Sequence, residues 1–208
     1  MDERWKGVFK IDPIVPSLPL PKEFYQQPTL ELAQSLLGCL LIHQTQEGVL
    51  SGYIVETEAY RGPMDRAAHS FGNRRTKRTE IMFSEAGLVY TYTMHTHCLL
   101  NIVSAGIDEP EAVLIRAVEP FTGIDEMYKR RKVPVEKNLT NGPGKLTKAL
   151  GIQMSDYGHP IYEPPLYIAK GNTPAAISAG PRIGIDNTGE AREYPWRYWV
   201  TGNRFVSR

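Results

Sequence analysis

The sequence of 208 residues predicts a single α+β, or irregular α/β, domain with a mostly antiparallel sheet. Segments typical of strands and segments typical of helices are mixed along the chain without a regular βαβ alternation. The length suits one sizeable hydrophobic core better than two. Hydrophobic residues make up 41% of the chain and charged residues 23%, which is ordinary for a globular domain.

Alternating or continuous apolar segments mark the predicted strands. LVYTYTM (88–94) and CLLNIVS (98–104) predict a hairpin with His95, Thr96 and His97 at its tip. The apolar character of EAVLIRAVEP predicts a central place in the sheet. The full set of predicted strands is CLLIH (39–43), VLSGYIVETEAY (49–60), the two arms of the hairpin, EAVLIRAVEP (111–120), PLYIA (165–169), RIGI (182–185) and WRYWV (196–200).

Three segments have the spacing or the termini of helices. The first follows Thr29, which we expect to cap it, and Gly38 is expected to end it. The second covers GIDEMYKRRK, around residues 123–132. In the third, GPGKLTKALGI, Pro143 suits the first turn and Gly151 suits the stop.

The first 28 residues contain five prolines, too many for regular structure. We therefore predict a proline-rich N-terminal arm over residues 1–24 and a single domain over residues 25–208. The start, MDERWKGVFKIDP, has no continuous apolar segment, and no apolar run approaches the roughly 18 residues that span a bilayer. We therefore expect no membrane association. We expect the protein to lie in the cytoplasm, at the nucleoid, if it is bacterial, and in the nucleus if it is eukaryotic.

The sequence predicts neither a metal site nor a cofactor. Cys39 and Cys98 lie in apolar contexts without CxxC spacing, which argues against a zinc site or a disulfide framework. We expect both to be small buried residues. The chain also lacks GxSxG, Walker and dinucleotide-binding motifs.

Basic residues cluster in two places although the net charge is only +1. FGNRRTKRTE brings together Arg74, Arg75, Lys77 and Arg78, and YKRRKVP supplies a second run at 129–132. Local patches of this kind could follow a phosphate backbone. The alternative is that each is a solvated loop or helix end.

The stretch VETEAYRGPMDRAAHS (55–70) contains the most informative group of side chains. Glu58 on a strand could act as a general base, and Tyr60 shares its face. His69 follows a Gly-Pro turn, and Tyr92 offers a further ring with Tyr90, so a pocket for a planar group is predicted. Taken singly, the same residues could be a surface carboxylate, half-buried tyrosines and a scaffold histidine.

The sequence resembles the alkyladenine, or 3-methyladenine, DNA glycosylases of the mammalian AAG/MPG type. The resemblance extends from about residue 25 to the C-terminus, with its motifs in the family's order. These motifs are IVETEAY, GP.D.AAHS, a basic segment leading to MF, VYTY, CLLNIVS, AVLIRAVEP, NGPGKLTKALGI, PRIGI and WRYWVTG.RFVS. The resemblance implies a curved, mostly antiparallel sheet surrounded by helices, with a protruding β-hairpin.

The resemblance also implies roles for single residues. Glu58 would be the general base that activates water, and Arg116 would help to position the carboxylate and the water. Tyr60 would stack on one face of an extruded base, with His69 and Tyr92 against the other.

Further roles implied by the resemblance concern selection of the base and contact with DNA. Asn101 would collide with the exocyclic amine of normal guanine. The stretch between Tyr92 and Asn101 is one residue shorter than in many relatives, which leaves Met94 or His95 as the wedge in the minor groove. Lys145, at the start of the NGPGK helix, would bind a DNA phosphate together with the backbone N–H groups there. The alternative for this last feature is a simple capped helix.

The implied function is DNA repair by extrusion of alkylated purines and hydrolysis of the N-glycosidic bond, which leaves an abasic site. The substrates would be 3-methyladenine and 7-methylguanine in double-stranded DNA, with hypoxanthine and ethenoadenine as further candidates. No lysine occupies the position of Glu58, so we predict a monofunctional enzyme without strand-cleaving activity. Hydrolysis by water needs no cofactor, and one base in one pocket gives no reason to need a dimer, so we expect a cofactor-free monomer. The alternatives are a catalytically silent DNA-binding module and a hydrolase of free nucleosides, which would need a second carboxylate such as Glu56.

Overall fold

The computed structural model describes residues 17–207, and within this range the chain forms eight strands and three α-helices. The strands are β1 (Leu40–Thr45), β2 (Gly48–Tyr60), β3 (Val89–Met94), β4 (His97–Ser104), β5 (Glu111–Thr122), β6 (Leu166–Ala169), β7 (Ile177–Gly180) and β8 (Arg197–Val200). The helices are α1 (Thr29–Ser35), α2 (Ile124–Arg131) and α3 (Pro143–Leu150).

The strands form one curled antiparallel sheet, as predicted. The order along its main path is β3-β4-β5-β2-β1-β6, and β8 joins β2 to β7. The 13-residue strand β2 is therefore paired on both edges, with β5 on one side and with β1 and then β8 on the other. Side chains in its second half lie at the centre of the sheet.

The carboxylates of β2 do not face solvent. Residues 54–59 are all buried, and the side chains of Glu56 and Glu58 are 0% exposed. The register with β5 shifts between Ile54 and Glu56 and again before Thr57, which marks an irregularity of the β-bulge type. The alternation of apolar and polar residues in the sequence therefore does not appear as alternating burial, because both faces of this segment are covered.

Helices α1 and α3 cover the core face of the sheet. Leu32 and Ala33 of α1 and Leu146 and Leu150 of α3 are fully buried in the main hydrophobic cluster. Each leucine contributes about 1.5–3 kcal/mol through burial. Helix α3 ends at Leu150 and is followed by Gly151, which has a left-handed φ of +73°. The prediction that Gly151 stops this helix is therefore confirmed.

Two predictions of local structure are wrong. Thr29 does not cap α1: it is the first helical residue, and its hydroxyl bonds instead to Ser104 and Glu111. RIGI forms no strand, because Gly184 is left-handed at φ +78° and the N–H of Ile183 donates to a side chain. The strand in this region is β7, which lies before Pro181.

The described end of the proline-rich arm lies against β6. The N–H of Leu20 donates to the carbonyl of Ile168 at 2.8 Å, and Tyr25 is fully buried in the 3-10 turn Lys22–Gln26. Residues 1–16 lie outside the described range, so the division at residue 24 stays a prediction. Over the described part of the chain, no helix combines the length and apolar character that crossing a membrane requires.

Candidate active site

Glu58 is a buried carboxylate held by two hydrogen bonds and one ion pair. Tyr60 Oη donates to Glu58 Oε2 at 2.8 Å, and the N–H of Ile183 donates to Oε1, also at 2.8 Å. Arg116 Nη1 lies 3.2 Å from the same Oε1. A carboxylate removed from water needs such compensation, and Oε2, with one bond from Tyr60, keeps a lone pair for a further ligand.

Arg116 reaches both carboxylates because β5 lies directly beside β2, with Glu58 opposite Leu114 and Glu56 opposite Ala117. Its Nε donates to Glu56 Oε1 at 2.9 Å. Burial opposes the charged form of Arg116, but the attraction of Glu58 and Glu56 outweighs it and raises the pKa of the guanidinium.

Glu56 accepts four hydrogen bonds from within the protein. Besides Arg116, it accepts from Arg197 Nη1 at 3.1 Å and from the N–H and hydroxyl of Ser207 at 2.7 and 2.9 Å. Glu56 therefore orients Arg116, and two of its three partner residues, Arg197 and Ser207, do not line the cavity described below. It fits a structural role better than that of a second carboxylate acting on a sugar.

A cavity of about 300 Å³ opens in front of Glu58. The three groups that bind Glu58 also belong to residues that line this cavity, so the carboxylate lies immediately behind its wall. Two larger open clefts, of about 930 and 970 Å³, lie elsewhere and contain none of these three residues. The lining comprises Tyr60, Ala67, His69, Met82, Tyr90, Tyr92, Met94, Leu99, Asn101, Ala112, Leu114, Arg116, Pro143 and residues 183–188.

Aromatic rings form one wall of the cavity. His69 and Tyr92 meet edge to face, with centroids 4.6 Å apart, and Tyr90 is 5.5 Å from Tyr92. His69 Nδ1 is 2.7 Å from Tyr90 Oη. Burial, followed by the nearby cations Arg78 and Arg74, lowers the pKa of His69 to about 4, so its imidazole is neutral at physiological pH.

Two further polar groups of the cavity are fixed by hydrogen bonds. Asn101 is buried, and its Nδ2 donates to the carbonyl of Tyr90 at 3.0 Å, which sets the orientation of the amide. Burial, followed by the Glu58 charge, raises the pKa of Tyr60 well above its usual value. The phenol therefore remains a donor to Glu58.

The predicted hairpin protrudes beside the cavity. His95 and Thr96 form its two-residue turn, both with positive φ, and Met94 is 42% exposed. A groove of about 430 Å³ separates the tip from the start of α3 and includes Arg131 and Lys145.

The predicted basic residues differ in whether their side chains are exposed or already paired within the protein. Arg74, Lys77 and Arg78 are exposed, whereas Arg75 pairs with Glu80 and Asp108. Lys145 Nζ donates to Asn141 at 2.9 Å.

The second basic run, residues 129–132, is largely engaged within the protein. Arg131 donates to two backbone carbonyls, and Lys129 and Arg130 pair with carboxylates. This favours the interpretation of that run as a helix end.

Among residues 17–207 no group of histidine, cysteine and acidic side chains is arranged to hold a metal ion. Cys39 and Cys98 are free and partly buried, not fully buried as expected, and burial raises the pKa of each thiol to about 11.

Sequence reasoning missed several residues that organise the site. The amide of Ile183 has no sequence signature, because a backbone donor depends only on where the chain passes. Asp65 and Arg182 lie within the motifs quoted for the resemblance, but nothing local indicates that they form a buried pair.

A buried carboxylate behind a ring-lined cavity, next to a protruding hairpin, is the arrangement of an enzyme that acts on a base drawn out of nucleic acid. The family model described as methylpurine-DNA glycosylase (MPG) matches residues 23–204. The chain belongs to the methylpurine-DNA glycosylase family, which confirms the resemblance.

Similar proteins occur in several bacteria and carry the name 3-methyladenine DNA glycosylase. That of Bacillus licheniformis is 71% identical over 190 residues, which cover 91% of this chain and 97% of the relative. That of Bacillus subtilis is 70% identical over the same shares of both chains. That of Listeria monocytogenes is 48% identical over 90% of this chain and 92% of the relative.

Proposed function

We propose that the protein is a monofunctional 3-methyladenine DNA glycosylase that excises alkylated purines from double-stranded DNA. The observation that carries this proposal is the buried Glu58, fixed by two hydrogen bonds and one ion pair and lying directly behind the cavity wall. Its substrates would include 7-methylguanine, with hypoxanthine and ethenoadenine as further candidates. Its DNA substrate and its bacterial relatives favour action at the bacterial nucleoid.

In the proposed reaction, a water bound to Glu58 Oε2 attacks C1′ of the sugar and gives its proton to the carboxylate. The N-glycosidic bond breaks, and its electron pair leaves with the base. The sugar passes through an oxocarbenium-like state, which the Glu58 charge stabilises. The Ile183 amide, which donates to the other oxygen, and Arg116, which forms an ion pair with that oxygen, hold the carboxylate in place.

The cavity supplies surfaces for a planar base. Tyr60 would stack on one face, and His69 with Tyr92 would close on the other. Because the imidazole of His69 is neutral, it does not repel a purine made cationic by alkylation. Asn101 would exclude the exocyclic amine of guanine, and its fixed amide supports that role.

The outer surface suits contact with a duplex. Met94 lines both the cavity and the groove behind the hairpin, whereas His95 lines only the groove, which favours Met94 as the wedge. The side chains that would contact phosphates are those of Arg74, Arg75, Lys77, Arg78 and Lys145. The attraction of Arg75 for a phosphate would be reduced by its ion pairs with Glu80 and Asp108. One cavity for one base requires neither a cofactor nor a second subunit, and the absence of a lysine at position 58 favours base release without strand cleavage.

Two alternatives fit the observations less well. Glu56 accepts four hydrogen bonds within the protein, and two of its three partner residues, Arg197 and Ser207, do not line the cavity, which argues against a free-nucleoside hydrolase with two working carboxylates. A silent DNA-binding module would gain nothing from burying Glu58 with Arg116, an arrangement that is costly unless it is used.

The proposal is tested by single-turnover base release from a duplex with one 3-methyladenine, comparing the native protein with Glu58→Gln. We expect the native protein to release the base and leave an intact strand with an abasic site. Glu58→Gln should bind the lesion but release it at least about a hundredfold more slowly. Glu163→Gln, at an exposed glutamate, is the matched control and should act as the native protein does. Binding without release by the native protein would leave only the DNA-binding module.

A further inference from the structure

Arg182 lies over the ring of Tyr60, outside the cavity. Its guanidinium carbon is 4.7 Å from the centroid of the Tyr60 ring and 5.1 Å from that of Trp196. Tyr60 lines the cavity, whereas Arg182 is not among the lining residues, so the phenol ring stands between the guanidinium and the cavity. A cation on one face of a ring competes for the electron density that would attract a cation to the other face.

Asp65 neutralises this guanidinium. Both side chains are 0% exposed, and two hydrogen bonds join them, including Arg182 Nη2 to Asp65 Oδ1 at 2.8 Å. The backbone N–H groups of Arg61 and Ala67 also donate to Asp65, at 3.2 and 3.0 Å. The carboxylate is therefore fixed by the turn that leads from β2 to His69.

The charges behind the cavity wall balance once a partly exposed arginine, Arg197, is included. Three carboxylates and three guanidinium groups occur there, and each carboxylate contacts a guanidinium. They are Glu56, Glu58, Asp65, Arg116, Arg182 and Arg197. Loss of the Asp65 charge would leave one uncompensated positive charge behind Tyr60, because arginine stays protonated.

We propose that Asp65 is a specificity-determining residue: by neutralising Arg182 behind Tyr60, it allows the cavity to accept a purine that carries a positive charge. This inference rests on the proposed function, because it takes Tyr60 as the surface on which the extruded base stacks. A base at van der Waals distance from the free face of the ring would lie roughly 8 Å from the guanidinium. At an effective dielectric constant of about 20, a like charge at about 8 Å weakens binding roughly ten- to thirtyfold.

The test uses two duplexes whose lesions have the same shape and differ by one charge. One carries 3-methyladenine, which is cationic in DNA, and the other carries the neutral 3-methyl-3-deazaadenine. Both bases are attached to 2′-fluorinated sugars that resist hydrolysis, so that Glu58 stays unchanged. The quantity measured is the ratio of the two affinities, cationic over neutral.

The variants are chosen to separate charge from structure. Asp65→Asn should lower the ratio about tenfold, whereas Arg182→Gln should not lower it. The double variant Asp65→Asn/Arg182→Gln should return the ratio to within about threefold of the native value. Asp65→Glu keeps the charge and should keep the ratio.

A merely structural role for the pair predicts a different result. Binding of both duplexes would then fall by the same factor in Asp65→Asn, and the double variant would be no better, which would overturn the proposal. If Asp65→Asn does not fold, Asp65→Ser takes its place, because serine keeps an oxygen acceptor for the turn without the charge. The proposal then requires that Asp65→Ser lowers the affinity ratio. If the native protein prefers neither lesion over an undamaged duplex, the proposed function itself fails, whereas an unchanged ratio in variants that bind both lesions rejects only the role of Asp65.

Discussion

Tyr60 donates its phenolic hydrogen to Glu58 across 2.8 Å, although the two residues are only two positions apart on one strand. The same tyrosine forms part of the cavity wall. A single side chain thus fixes the carboxylate and presents a ring to the site that the carboxylate serves.

This contact makes Tyr60→Phe a selective change. The ring remains, so lesion binding should stay within about threefold of the native value. Loss of a hydrogen bond to a charged group should slow base release by about ten- to a hundredfold. Single-turnover rates and equilibrium binding of a 3-methyladenine duplex separate the two effects. Equal losses in binding and release would show that the hydroxyl acts on the base and not on Glu58.

The neutral state of His69 predicts a dependence of stability on pH. Its folded pKa is about 4 and its ordinary value 6.5, so between these values the unfolded chain binds more protons at this position. The free energy of unfolding should therefore fall as the pH drops from about 6.5 towards 4. Because the ring is partly exposed, the contribution of His69 should be on the order of 1–2 kcal/mol.

The measurement is urea unfolding of the native protein and His69→Gln at pH 7.5 and pH 5. Comparison of the two proteins cancels the carboxylates that titrate in both. The native protein should lose more stability than the variant on acidification. A larger loss in the variant would contradict the neutral imidazole.

Arg116→Met should be strongly destabilising, because it leaves Glu56 and Glu58 buried without their shared cation. We expect a loss of about 3–5 kcal/mol. For a chain of this size that corresponds to a fall in Tm of about 10 °C. Lys129→Met removes a cation whose side chain is 75% exposed and should change stability by less than about 0.5 kcal/mol. Differential scanning calorimetry compares the two, and equal Tm values would contradict the buried network.

Gly144 allows α3 to approach the hairpin closely. A Cβ at this position would lie 2.6 Å from the Cβ of His97, which is too rigid to move aside. Gly144→Ala should therefore cost about 1–3 kcal/mol of stability and displace the hairpin from the cavity. In Gly106→Ala the new Cβ meets only the end of the flexible Glu109 side chain, at 3.1 Å, so this variant is the control. Thermal unfolding measures the cost, and equal unfolding temperatures for the two variants would contradict the tight contact.

The wedge prediction separates Met94 from His95. Met94→Ala should weaken binding of a lesion duplex by about ten- to a hundredfold, because loss of an apolar side chain from the base stack favours return of the nucleotide to the duplex. His95→Ala should weaken it less. Binding titrations with one lesion duplex decide between them, and the reverse order would identify His95 as the wedge.

Much of the fold follows from local sequence. The hairpin was predictable because an alternating segment, LVYTYTM, and a largely apolar segment, CLLNIVS, flank a short polar tip. Strand β2 was predictable because apolar residues alternate with polar ones in its second half. The grouping of Glu58, Tyr60, His69 and Tyr92 followed from strand periodicity and one Gly-Pro turn. These signals are local, so they survive without knowledge of the tertiary structure.

What local sequence could not predict depends on distant contacts. RIGI has a strand-like composition, but Arg182 is drawn inwards by Asp65, 117 positions away, and the Ile183 amide by Glu58, 125 positions away. The burial of both faces of β2 likewise depends on the C-terminal segment, where Phe205 packs with Val55 and Ser207 binds Glu56. Such tertiary contacts override the local preference of a short apolar segment.

In the proposed function, the cavity receives an extruded purine in front of Glu58. A crystal structure of Glu58→Gln bound to a duplex with one 3-methyladenine tests it most directly. We predict the base between Tyr60 and the rings of His69 and Tyr92, with its C1′ facing the side chain at position 58 and space for one water between them. A lesion that remains stacked in the duplex, or occupies another cleft, would contradict the proposal that this cavity receives the base.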